Sequence, residues 1–589
     1  MARLSRSEVE GIRQSLKTEM HRHLPKWRTL AKYIAPHRLK ESDQKVDGRR
    51  KDENIINNQA GRSLRTFVSG MMNGATPRSR PWFNLISASP KSSKSNDESR
   101  YYAETEKVLD RHFQISNLYR VLPMTYKDVG VFSNSAFAML PHARYGFYFY
   151  PFAIGTYAFA SDREGRTDMF CRDFTLNVRQ VVETYGQLDQ AGKIIWDNLP
   201  IMIEERYKAA KYMEEIILTQ VIVPNSLYNP EKAKMSLDPS DKKFQSYTYI
   251  LGSNASGTTQ QNPTGFRQAQ MTDKDEKRSV HEFLKVGGYD YFPVITPRWE
   301  VEPEGYYGID GPGEIALADI QTLQEQEKYR MEGIAKLVRP PMVGHASLRR
   351  HASSILAGGI TYVDDRGMAQ GFKPAFTLNP QLSELIGAKE EIQSYIKTAF
   401  YEDLFLQLSS QRTISHVTAA QINQQTAETM AAMAPVLGQW DHDLSSPLIE
   451  NALFILGEAG KLPKKPESLK NDRLVPEYIS VLAQASKASL TASQEKYVQF
   501  VAGTAEMLQD PTLLKMANGE SLIRAYAENE GIAPQLVLDE LQYKQAKEAA
   551  MEAQAAQAQQ EAAAAQAQTA KTMADTPLGN GSALDQAIG

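Results

Sequence analysis

Two long stretches with helical periodicity, 314–338 and 381–408, bracket a segment of about 40 residues rich in Gly and Pro. In the first, Leu317, Ile320, Met331, Ile334 and Leu337 share one stripe. In the second, Leu382, Leu385, Ile392, Ile396, Phe400 and Leu404 keep a three-to-four spacing. At the helical rise they would be roughly 37 and 42 Å long. Arg339-Pro340-Pro341 ends the first, because proline cannot continue the backbone hydrogen-bond ladder. Two helices of similar length joined through a short compact segment predict a stalk with a small head. The middle of the first is polar at Gln324 and Glu327, which points to contacts with neighbouring copies rather than to a private core.

Directly before the first helix, "EGYYGIDGPGEI" places Gly305, Gly308, Gly311 and Gly313 in a short run. Glycine loops that feed helices are a common phosphate cradle, since backbone N–H groups and the helix dipole point at the anion. A P-loop also needs Lys and Ser/Thr after the last glycine, and neither follows here. Glu314 at the helix start would repel phosphate. The run therefore reads as a flexible junction. "YGQLDQAGKII" (185–195) is a second near miss, with one residue too many between Gly186 and Gly192 and with Ile194 after Lys193.

Other chemical constellations are weak. His21 and His23 lie on different helix faces. Asp441-His442-Asp443 diverge on a helix and read as solvated surface. The paired acids of "YVDDRG" (362–367) read as a turn, and neither G-x-S-x-G nor H-E-x-x-H occurs. The single cysteine, Cys171, excludes an internal disulfide and reads as an inert, partly buried residue. No catalytic residue, metal or cofactor is expected. "YGFYFYPFAIGTYAFA" (145–160) is too short and too interrupted to span a bilayer, and buried β-strands suit its aromatic content better. The N-terminus lacks the apolar core of a signal peptide. The formal net charge of −3 argues against a surface that grips nucleic acid along its whole length.

The remaining pattern is α+β and mainly helical. Helices are expected at 5–35, 53–75, 101–115, 119–139 and 200–218, β structure at 141–180 and 219–300, and a third long helical stretch at 414–459 that Pro435 and Pro447 should kink or break. The Ala/Gln-rich end, 546–589, is helical or disordered.

Several segments, taken in order, resemble one family. "YFPVITPRWEVEPEGYYGIDGPGEIALADIQTLQ" (291–324) is similar to the signature stretch of the head-to-tail connecting proteins, the portal proteins of short-tailed bacteriophages. "FVSGMMNGATPRSRPWFNL" (67–85), "LPMTYKDVGVFSNSAFAML" (122–140), "SDREGRTDMFCRDFTLNVRQ" (161–180) and "APVLGQWDHDLSSPLIENALFILGEAGKLP" (434–463) agree with it as well. At 413–423, "TISHVTAAQIN" departs from the charged pattern common in the family, through His416, Ala420 and Asn423. The resemblance implies a wing at 1–312 and a first stem helix at 313–339. A clip follows at 340–380 and a second stem helix at 381–408. The tunnel loop and long wing helix would span 409–475, a crown 476–545, and a tail the rest. It implies a ring, usually of twelve subunits, at one capsid vertex of the virion, assembled in the host cytoplasm without a membrane. Double-stranded DNA would pass through the ring, and terminase, tail adaptors, major capsid and scaffolding proteins would be its partners. On that frame Ser409, Ser410, Gln411, Arg412 and Thr413 form the tunnel loop. Arg349 and Arg350 dock partners on the clip, and Leu385, Ile392, Ile396, Phe400 and Leu404 pack the stem. A non-viral oligomeric helical adaptor or scaffold is the alternative reading of the same helices.

Overall fold

The computed structural model describes residues 4–40, 53–87, 96–189, 192–196, 199–236, 238–251, 283–339, 342–343, 373–374, 382–410, 436–469, 474–478, 497–504, 519, 521–523, 540–575, 577–578 and 581–582. They fall into two compact units. One comprises Met1–Asn84, Glu106–Leu462 and Pro476–Ser486, the other Leu85–Thr105, Pro463–Val475 and Lys487–Gly589. Helix and strand are mixed, as expected of an α+β chain.

The first unit opens with α1 (Arg6–Tyr33). Ser5 and Glu8 close a capping box at its start, each side chain accepting from the other's backbone N–H. Val9, Leu16, Met20, Leu24, Trp27 and Leu30 form its buried stripe. Helices α2 (Gln59–Gly74), α3 (Asn96–Ile115), whose residues up to Thr105 belong to the second unit, and α4 (Leu118–Phe132) follow. The last ends earlier than its apolar pattern predicts, because Ser133 turns left-handed (φ 61°) and the chain passes into a strand.

Strands β1 (Phe137–His142) and β2 (Gly146–Pro151) form an antiparallel hairpin, to which β8 (Val294–Ile295) adds on the β1 side. Strands β3 (Tyr157–Ser161), β4 (Thr167–Asn177), β5 (Glu215–Pro224), β6 (Phe244–Ile250) and β7 (Lys285–Tyr289) make a five-stranded antiparallel sheet in the order β7-β6-β5-β4-β3. Alternation sends one set of side chains towards α1. There Arg13 and Lys17 pair with Asp173 on β4, and Arg6 stacks on Tyr249 of β6. At the other face, α5 (Val178–Tyr185) and α6 (Ile201–Lys208) cover Ile216, Leu218 and Ile250 with Val178, Val181, Val182, Leu199 and Ile203. The membrane-like stretch is therefore β2 and β3. The near-miss phosphate loop is a small hairpin, with Gln187–Leu188 paired to Ile194–Ile195, and no helix leaves Lys193.

Strands β9 (Glu300–Val301) and β10 (Gly308–Ile309) precede α7 (Leu317–Val338), the first of the two expected stalk helices. Two features differ from the sequence pattern. Gln324 and Glu327 do not face another copy; both are buried within the chain. Gln324 accepts from the backbone N–H groups of Ile56 and Asn57 and donates to Asn57 O. Glu327 accepts from Asn57, Arg330 and Lys389 at 3.0, 2.7 and 2.6 Å. Burial opposes its ionisation, but these donors outweigh it and hold the carboxyl at about 2. The exposed apolar surface lies further along α7, at Met331, Ile334, Leu337 and Val338.

The second stalk helix is also not continuous. It divides into α8 (Leu382–Ala399) and α9 (Glu402–Ser410) at Tyr401, whose φ is 54°. A left-handed residue other than glycine costs roughly 1–2 kcal/mol. The break leaves Phe400, Leu404 and Phe405 all buried, each side chain worth roughly 1.5–3 kcal/mol, so packing wins over helix continuity. Phe405 meets Phe67 of α2 edge-on, and Tyr401 lies against Trp299.

Pro447 does not break its helix. A wide turn at Asp441–Ser445, with i→i+5 bonding, lies just ahead of α10 (Ser446–Glu458). It takes the helix past a residue that lacks an N–H and crowds the preceding turn. Strands β11 (Met342–Val343) and β12 (Lys373–Pro374) pair antiparallel, so the two ends of the segment between the stalk helices come together. In the second unit, α11 (Glu540–Asp575) is a 36-residue helix through the Ala/Gln-rich region.

Candidate functional site

The residues that launch α7 form a packed joint, not a loose hinge. Gly308 lies against the C-terminus of α4 so closely that a Cβ there would fall 2.2 Å from Ser133 O. A Cβ on Gly311 would meet Ser133 Oγ at 2.5 Å. Glycine is required here because two backbones touch. Asn134 locks the contact. Its Oδ1 accepts from Gly308 N at 2.7 Å, and its Nδ2 donates to Gly308 O at 3.0 Å and Phe132 O at 2.8 Å. Ser133 Oγ accepts from Gly311 N. Glu314 accepts from Asp310 N and pairs with Lys26 of α1. The carboxylate expected to repel phosphate thus ties the start of the helix to the first helix of the chain.

Arg298 anchors the other side of the joint and is only 1% exposed. Its Nε and Nη2 donate to the two carboxylate oxygens of Asp443 at 2.7 and 2.8 Å. Nη2 also donates to Gly165 O, and Nη1 to Ser161 Oγ and Tyr306 O. One guanidinium therefore ties together the β3–β4 turn, the glycine junction and the helical segment that carries Asp443. Burial by itself would push the Asp443 carboxyl up. The Arg298 fork, with Gln439 and His442, outweighs it and holds the group below its usual range. Asp441-His442-Asp443 is consequently not a solvated surface. Asp443 is buried, and burial pushes its neighbour Asp441 up to about 7. Trp299, next to Arg298 in the chain, packs against Phe67 and Trp440, and Trp440 packs against Tyr126.

An open cleft of about 610 Å³ adjoins the joint, lined in part by Asp162, Glu164, Glu302 and Glu304. Arg163 lines it as well, but four carboxylates outnumber that cation and the donors of Arg298 are already engaged, so the cleft does not suit a phosphate. Among the described residues, no group of three His, Cys, Asp or Glu could hold a metal ion. No described helix is long and apolar enough to cross a membrane. Cys171 is buried, and burial pushes its thiol up to about 12, which leaves it unreactive. His23 stacks on Trp27 and Tyr307 rather than pairing with His21.

The joint uses the same stretch, 291–324, that carries the family resemblance. The sequence profile described as bacteriophage head to tail connecting protein matches residues 6–262 and 260–538, most of the chain. The chain belongs to this family of phage portal proteins. It is 30% identical over 571 residues to the portal protein of Salmonella phage epsilon15, covering 97% of this chain and 95% of that protein. It is 27% identical over 525 residues to the probable portal protein of Bordetella phage BPP-1, covering 89% and 87%. The portal family is structural, and its members are virion components.

For a portal chain, the residues singled out by sequence fall as follows. Ile396, Phe400 and Leu404 are buried inside the subunit, and Ile392 is half-buried on α8. Leu385 lies on α8, with its side chain outside the described residues. Ser409 and Ser410 continue α9 instead of starting a loop. Gln411, Arg412, Thr413, Arg349 and Arg350 lie outside the described residues, as do 362–367 and 413–423. Sequence reasoning missed Arg298, Ser133 and Asn134. Arg298 and Asp443 are 145 positions apart, and no local pattern marks either as half of a pair.

Proposed function

We propose that copies of this chain, usually twelve, form a ring at one capsid vertex through which double-stranded DNA is packaged and ejected. The observation that carries this reading is the row of exposed apolar residues on α7, Met331, Ile334, Leu337 and Val338, in a helix of a portal-family chain. Such a row is costly in water and is covered in a stable assembly. Residues 1–312 serve as the wing, α7 and the α8–α9 pair as the stem, and the segment closed by β11 and β12 as the clip. The crown and helical tail follow. A net charge of −3 per chain suits a conduit, because dense cationic contact would hold DNA rather than let it slide. Terminase supplies the energy and docks on the clip, and tail adaptors replace it. The wing meets the major capsid and scaffolding proteins. Negative-stain imaging with native mass measurement tests the reading. Rings near twelve times 66.0 kDa are expected. A small elongated oligomer would favour the scaffold alternative instead.

Two finer assignments go with it. Ser409 to Thr413 border the channel, with Arg412 giving one ring of cations that meets phosphates without binding a long stretch of DNA. Arg412→Glu is expected to leave ring size unchanged and to alter DNA retention in packaging assays; unchanged retention would remove Arg412 from the channel. Arg349 and Arg350 dock acidic patches of the partners. The double alanine variant is expected to form rings but to package poorly, and normal adaptor binding and packaging would clear the pair of that role.

A further inference from the structure

Away from the joint, on the face of the five-stranded sheet opposite α1, Arg172 of β4 is a half-buried cation without a carboxylate partner among the described residues. It is held with unusual care for a side chain that meets nothing charged. The rings of Phe152 and Phe174 lie 4.7 and 4.4 Å from its Cζ. Its Nε donates to Gln220 Oε1 at 2.9 Å, and Gln220 is fixed in turn by donating to Ser246 Oγ at 3.0 Å. The ionisable groups that act on it are two phenols, Tyr185 and Tyr289, both half-buried. Burial pushes the guanidinium down from its usual range, the reverse of Arg13, which faces Asp173 on the other side of the same sheet. The buried Arg298 and the half-buried Arg38, by contrast, each meet a carboxylate.

We infer that Arg172 is a docking point for a single carboxylate carried by an acidic segment of another protein chain. Gln220 occupies the Nε side and leaves the terminal nitrogens, the fork that matches a carboxylate with two parallel hydrogen bonds. The stacked rings and Gln220 immobilise the fork beforehand, so little side-chain freedom is left to lose on docking. Duplex DNA is a poor occupant, because it offers a phosphate every ~1.7 Å of axis and is held by rows of cations, whereas this site has one cation among aromatic carbon. A carboxylate flanked by apolar side chains matches both halves of the site.

Arginine footprinting with phenylglyoxal, read by mass spectrometry, tests this on the unaltered full-length chain. Arg172 is expected to be modified in the isolated protein and about tenfold more slowly in the assembled phage particle, the order that a charge-assisted contact implies. Equal rates in both states would overturn the inference. So would slow modification already present in the isolated chain, which would place the carboxylate in this subunit. Protection of the isolated chain by inorganic phosphate at millimolar concentration would assign the site to a free anion and overturn it as well. The variant Arg172→Lys keeps the charge and loses the fork. It is expected to match the parent in circular dichroism and denaturation midpoint, yet to enter particles less efficiently; normal entry would count against a bidentate contact.

Discussion

Replacing Asp443 by Asn is expected to cost about 3–5 kcal/mol of folding stability, because it leaves the Arg298 guanidinium buried without a counter-charge. The substitution hardly changes volume, so packing loss does not account for a penalty of that size. The double variant Arg298→Gln with Asp443→Asn is expected to cost less than the sum of its singles, since each single strands one charge and the double strands none. Denaturant unfolding followed by tryptophan fluorescence reads this, as the buried Trp299, next to Arg298 in the chain, packs against Trp440. The effect has a pH signature. Asp443 titrates below its ordinary value of about 3.9 in the folded chain, so its contribution is complete above that value and is lost as pH falls through the lowered one. The gap between parent and Asp443→Asn should therefore be full at pH 7 and shrink in acid. A loss under about 1 kcal/mol at pH 7, the range of an exposed pair, would show that the pair does not brace the joint.

That pair also marks where the sequence stops being informative. Helical periodicity located α1, α2 and α7, because each buries one stripe and its repeat is written locally. The aromatic run at 145–160 read correctly as strands for the same reason. The four glycines of the junction read as mobile because glycine is permissive in isolation. The contact that requires glycine at Gly308, against Ser133 O, comes from a segment 175 positions earlier and leaves no trace nearby. Gln324 and Glu327 looked unsuited to a private core because their partners, Asn57 and Lys389, lie on distant stretches of chain. The break at Tyr401 has neither Gly nor Pro to announce it, and tertiary packing of Phe400 and Phe405 imposes it. Likewise Pro447 announces a kink or a break, but nothing in the sequence announces the wide turn at Asp441–Ser445 that carries the helix past it.

The same burial pattern decides which substitutions can test assembly. Ile396, an attractive choice from periodicity, is fully buried within the subunit. Ile396→Asp would place a carboxylate in the core and unfold the chain, so a missing ring would say nothing about contacts between copies. Ile334 and Leu337 are 39% and 40% exposed on α7, one helical turn apart, and they continue the row of Met331 and Val338. Ile334→Lys with Leu337→Lys puts two good helix formers at exposed sites, where changes in subunit stability normally stay within about 0.5 kcal/mol. If this row packs against a neighbouring copy, the pair of charges is buried unpaired at every interface of the ring, and closure multiplies the penalty around the circle. The expected result is a folded chain with the parent's circular dichroism and denaturation midpoint that sediments near 66.0 kDa and forms no rings in negative stain. Rings of normal size from this variant would mean that the apolar row of α7 faces something other than another subunit, and the stem would have to be sought elsewhere in the chain.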